Sequence, residues 1–165
     1  MSNQKIDNVV DATSYLLKNL GVKFTENYLS NKLQTHPFYP SLAAVSEALT
    51  SYHIESEAYR VSYADLLTWE TPFIAHLTID NNIFVVVEMV TEEEVLFYYG
   101  DKHLKSIKKE DFIKIWDNIV FLAKPSPASG EPDYATHRQK NRIEKAKIPV
   151  MVSLISIVRL HFPRI

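Results

Sequence analysis

The stretch from Thr71 to Tyr99, TPFIAHLTIDNNIFVVVEMVTEEEVLFYY, constrains the fold of this chain more than any other. Phe73 to Ile79 and Ile83 to Val90 are short, β-branched and bounded by turn residues, so they read as strands. Asp80-Asn81-Asn82 turns the first into the second, and Thr91-Glu92-Glu93-Glu94 turns the second into a third. Ile83-Phe84-Val85-Val86-Val87 is apolar at both odd and even positions. A strand of that kind is covered on both faces, so it belongs at the centre of a sheet.

The flanking sequence supplies the cover. Ile6, Val9, Val10, Thr13, Leu16, Leu17 and Leu20 recur at three- and four-residue steps, the stripe of an amphipathic helix, and Gly21 ends it. Thr25 can cap a second helix whose inner face is Tyr28, Leu29 and Leu33. The two prolines of His36-Pro37-Phe38-Tyr39-Pro40 hold their predecessors extended. Ser41 then caps a helix carrying Leu42, Val45, Leu49 and Tyr52. Ile54 to Val61 reads as a strand, and Ser62-Tyr63-Ala64-Asp65 as a capping box opening one helical turn. After the meander come a strand at 103–107, a short helix at 109–116 and a last strand at 119–123. Helices first, then a meander, is an α+β pattern.

At Pro125 the composition changes. PSPASGEP holds three prolines, a glycine and two serines, so residues 125–134 read as a linker after a domain of residues 1–124. Residues 137–147 carry Arg138, Lys140, Arg142, Lys145 and Lys147 against Glu144, and residues 148–158 are apolar. That apolar run is shorter than the roughly twenty residues of a membrane span. With its basic flank, residues 135–165 read as a membrane-proximal tail on the cytoplasmic side, touching the inner face of the plasma membrane.

Composition excludes several chemistries. The chain has 165 residues, a net charge of −2 and no cysteine. It therefore offers no disulfide, thiolate metal site or cysteine nucleophile, and nothing in its charge favours nucleic acid. The six histidines show no ligand spacing, so neither a metal nor another cofactor is expected.

HPFYPSLAAVSEALTSYHIESEAYRV, TPFIAHL, FVVV and KKEDFIKIW, in that order and spacing, resemble the bacteriocin-processing cysteine peptidase domain, a papain-like domain at the N-terminus of peptide-exporting ABC transporters. The resemblance covers residues 4–124. HPFYPSL, the SGEP segment and the basic run before an apolar segment are similar to a Bacteroidetes version preceding a vitamin K epoxide reductase-like, disulfide-forming membrane protein.

The resemblance implies an Asp-Cys-Gly nucleophile motif on the first helix, a histidine before the Phe-Val-Val strand and an aspartate at the end of the next strand. Counted back from Gly21, that motif falls on Asp7-Asn8-Val9, which places the nucleophile at Asn8. The histidine falls on Ile83 and the aspartate at about Tyr99. The family's oxyanion glutamine falls near Ser2 or Asn3, with Gln4 one slip away. The expectation is a catalytically inactive domain that binds a peptide or partner protein, such as a transporter or redox membrane protein. His36, Tyr39, Trp69, His76 and Tyr98 are its candidate groove residues. The alternatives are a regulatory or assembly domain without a peptide ligand and, well behind, an active peptidase.

Overall fold

The computed structural model describes residues 7–80, 83–100 and 103–146. The chain divides at Pro132/Asp133 into two compact units. In the first, α1 (Asn8–Asn19), α2 (Glu26–Gln34) and α3 (Leu42–Thr50) precede β1 (Ile54–Arg60), and α4 (Tyr63–Leu66) follows. The meander is β2 (Phe73–Leu77), β3 (Ile83–Val90) and β4 (Glu94–Tyr98), as its short β-branched runs and the turns between them predict. β5 (Leu104–Lys108), α5 (Lys109–Ile115) and β6 (Trp116–Pro125) complete it.

The sheet has six strands in the order β1-β6-β2-β3-β4-β5, every neighbouring pair antiparallel. Ile74, Val86, Tyr98 and Phe121 face a cluster built with Leu16 and Leu17 of α1, Leu29 and Leu33 of α2, and Val45 and Leu49 of α3. Phe73, Ala75, Val85, Val87 and Phe97 face a second cluster with Leu66, Phe112 and Trp116. Val85, Val86 and Val87 are fully buried, so β3 is covered on both faces. Burying one Leu side chain such as Leu16 contributes about 1.5–3 kcal/mol, which makes these stripes the reason α1 docks.

Local signals act as read. Ser41 Oγ accepts from Ala44 N at 3.2 Å, and Ser62 and Asp65 close a reciprocal capping box. Gly21 takes φ +69°, where Val22 N reaches Leu17 O (3.0 Å) and Gly21 N reaches Lys18 O (3.1 Å), a Schellman stop.

The segment expected to be a linker is instead pinned to the domain. Ser129 N donates to Ser126 O (2.9 Å), Ser129 Oγ to His53 O (2.6 Å) and Gly130 N to Tyr52 O (2.9 Å). Glu131 is 5% exposed; its N–H meets Lys23 O at 2.9 Å. Its carboxylate accepts from Thr25 N and, at 3.0 Å, from Thr25 Oγ1. Thr25 is thus the N-cap of α2 without capping it through its own hydroxyl. The domain therefore runs past residue 124 to the end of this clip.

In the second unit, residues 134–146 are helical. The apolar run at 148–158 lies outside the described residues. Among the described residues no helix is long and apolar enough to cross a membrane.

Candidate functional site

The side chain of Asn8 joins the first turn of α1 to β3. Asn8 Nδ2 donates to Phe84 O at 2.8 Å, and Phe84 N donates to Asn8 Oδ1 at 2.6 Å. The register explains why Phe84 is available. It pairs with His76 on β2, whereas the β3–β4 ladder begins two residues later at Val86↔Tyr98. The carboxamide, which carries both a donor and an acceptor, takes the place of a strand residue against that edge.

Asp7, the N-cap, holds the turn from the other side. Its Oδ1 accepts from Val10 N (3.4 Å) and from the Tyr39 hydroxyl, and its Oδ2 accepts from Gln34 Nε2 (2.8 Å). Burial, the bond to Asp7 and the Asp7 charge together push the Tyr39 phenol well above its ordinary value.

Ile83, the residue aligned with the family's histidine, is absent from this corner. Its side chain lies in the cluster on the opposite face of the sheet, and Phe84 is the β3 residue beside Asn8. The Phe84 ring packs at 5.2 Å from the imidazole of His76. His76 Nδ1 lies 2.5 Å from Asp117 Oδ2, and Asp117 Oδ1 accepts from Ile119 N at 3.0 Å. His76 and Asp117 form a half-buried hydrogen-bonded pair, and the chain has no cysteine to set beside it.

The end of β4 carries a second polar group. Tyr98 stacks on Tyr15 at 3.7 Å and donates to Asp11 Oδ1 at 2.9 Å. A Cβ on Gly100 would sit 3.4 Å from Asp11 Oδ2, so the carboxylate here comes from α1 and not from the strand end. Tyr99 is 39% exposed and bonds Asp80 instead. That bond raises its phenol, with burial and the Asp80 charge adding to it.

The sequence profile of the Peptidase C39 family matches residues 2–128. The chain belongs to the C39 family. A double glycine motif protease from an AMS/PCAT transporter, solved with its leader peptide, superposes with a TM-score of 0.65 at 19% identity, over 76% of this chain and 89% of that one. The peptidase domain of Streptococcus ComA gives 0.65 at 17% identity, over 76% and 96%. The C39-like domain of a Vibrio parahaemolyticus toxin secretion ATP-binding protein gives 0.58 at 17%, over 73% and 98%. No curated protein matches the chain. The α+β, papain-like fold is thereby established.

Within this C39 fold the five candidate groove residues do not converge. Tyr39, His76 and Tyr98 all bear on α1 or on the strand it touches. His36 is turned to α3: its Nδ1 accepts from Phe38 N (3.2 Å), leaving Nε2 to donate to Glu47 Oε2 at 2.8 Å. Trp69 lies beside the C-terminal end of α1. There Leu20, Trp69, Pro72, Leu122, Ala123 and Lys124 help line an open cleft of about 410 Å³. Its ring meets Tyr59 edge-on at 5.4 Å. Asp11 and Asp117 are the polar partners that sequence reading missed. Asp117 follows Trp116 in a short polar interruption of β6, a weak signal for a strand. Among the described residues no group of acidic, histidine or cysteine side chains could hold a metal ion.

Proposed function

We propose that this C39 domain does not cut peptides and instead binds a peptide or partner protein, in association with a bacterial membrane export or disulfide-forming system. One observation carries the reading: the side chain aligned with the nucleophile is a carboxamide with both its ends bonded to the backbone of Phe84. A thiolate needs a neighbouring base and open space for a scissile carbonyl. Here the corner is closed by the clamp and the Phe84 ring. The comparison with a leader-bound double glycine protease supports a peptide as the kind of ligand.

The test pairs two measurements on double-glycine leader peptides. Cleavage is expected at blank level for the native chain and for Asn8→Cys, because Ile83, at the position the resemblance gives to the family's histidine, supplies no proton acceptor. Binding is expected in a fluorescence titration. Turnover by the native chain that vanishes in Asn8→Ala would overturn the reading.

A second reading is a regulatory or assembly domain for a vitamin K epoxide reductase-like thiol oxidoreductase, with no peptide ligand. The Glu131 clip favours it, since it fixes where the chain leaves the domain. A chain that binds no leader but co-purifies with such a membrane protein would support this second reading over the first.

A further inference from the structure

The sheet ends in two edge strands that differ in their protection. β5 spans Leu104–Lys108 and carries Lys105 and Lys108, the charged residues that commonly guard a free edge. β1 spans Ile54–Arg60, holds an unbroken seven-residue register with β6, contains no proline or bulge, and carries Glu55 and Glu57 with Arg60 at its end. Residues 57–60 are exposed. In an antiparallel ladder about half of an edge strand's N–H and C=O groups point away from its only neighbour.

The side chains along this edge specify what would fit. Glu55 lies opposite Lys124, Glu57 opposite Leu122 and Tyr59 opposite Val120, all on one face. Glu55, Glu57, Tyr59, Leu122 and Lys124 line a shallow pocket of about 120 Å³ that shares Leu122 and Lys124 with the cleft of about 410 Å³ at Trp69. The two together are lined by Glu55, Glu57 and Glu70 against the single cation Lys124.

We infer that β1 is a docking edge for an extended basic segment of a partner protein, which adds as a seventh strand with Lys or Arg at alternate positions and an apolar side chain in the Trp69 cleft. A second copy of this chain is disfavoured in the register centred on Glu57. Antiparallel pairing of β1 with itself, centred on Glu57, sets Glu57 against Glu57 and Glu55 against Tyr59. Like charges directly opposite are destabilising, whereas opposite charges are favourable. Main-chain pairing would give the affinity and alternate side chains the selectivity. The inference rests on the reading that the domain binds rather than cuts, and adds where and what.

The experiment uses the full chain and a fluorescent peptide alternating Lys and Val with one Leu, read by anisotropy. Saturable binding is expected, together with slowed amide exchange in residues 54–60. Glu55→Lys with Glu57→Lys, both exposed and checked for folding by circular dichroism, should weaken it by about tenfold, the order expected for reversing exposed charge pairs. A peptide N-methylated at alternate amides should not bind. No binding of the Lys-Val peptide, equal binding of a Glu-Val peptide, or equal binding after N-methylation overturns the inference. If leader peptide binds uncut while the Lys-Val peptide does not, the edge site fails and the non-cleaving reading stands. Leader cleavage sinks that reading whatever happens at β1.

Discussion

Replacing Asn8 by alanine tests the clamp directly. The change removes hydrogen bonds of 2.8 and 2.6 Å and leaves Phe84 N and O without their side-chain partner. A net hydrogen bond contributes about 1 kcal/mol, and stranding a buried polar group costs about 1–3 kcal/mol. Phe84 is half-buried, so water can recover part of that loss. Alanine at the first helical position returns a few tenths of a kcal/mol of propensity. The expected cost is about 2–3 kcal/mol. For a chain of this size each kcal/mol lowers Tm by about 2–4 °C, so the midpoint should fall by about 5–10 °C.

Asn8→Asp should fall further at neutral pH. It keeps the acceptor for Phe84 N but sets a carboxylate oxygen against Phe84 O, which outweighs about 0.3–1 kcal/mol of helix-dipole attraction. The assay is thermal and urea unfolding by circular dichroism, with amide exchange at Phe84 as the local readout. A loss below about 0.5 kcal/mol, with Phe84 exchange unchanged, would refute the clamp, because that is the range of surface substitutions away from any such feature.

Three further outcomes follow from the same geometry. Glu131→Ala should destabilise the domain by about 2 kcal/mol, because it removes charge-assisted bonds to Thr25, and Glu131→Gln should recover part of that in the same melts. Tyr39 binds its proton more tightly in the folded chain than in the unfolded one, where the phenol titrates near 10.0. Its contribution is therefore complete below pH 10 and declines as pH rises above it, since the folded state then holds more protons. Tyr39→Phe should flatten the alkaline arm of the stability–pH curve. Val86→Asp or Val87→Asp, each at a fully buried position, should abolish the cooperative unfolding transition; a soluble variant with the native midpoint would show β3 to be misplaced.

What the sequence made legible was what short-range pattern controls. The apolar run of Ile83–Val87 announced a doubly covered strand, and Ser41, Ser62 and Gly21 announced the helix ends they make. Long-range pairing was not legible: nothing in residues 116–125 says that β6 inserts between β1 and β2. The PSPASGEP segment misled because proline and glycine usually mark loose chain, whereas here its hydrogen bonds close onto Tyr52, His53 and Thr25. The groove residues scattered because they were chosen by chemistry from segments whose spatial order depends on that same pairing.

The displacement from Ile83 to Phe84 is small in sequence and large in space. Side chains alternate across a strand, so a one-residue slip moves the assigned position through the sheet to the other core. Face assignment decides it: Val86 shares the cluster of α1, so Phe84, two residues earlier, lies on that face and Ile83 does not. A thiolate at position 8 could not accept and donate along a strand edge, while a carboxamide can do both. The Phe84 ring packs against His76 on the same face of the sheet. On the proposed reading, Asn8 turns a site that must stay open into a helix–sheet contact that stabilises the fold.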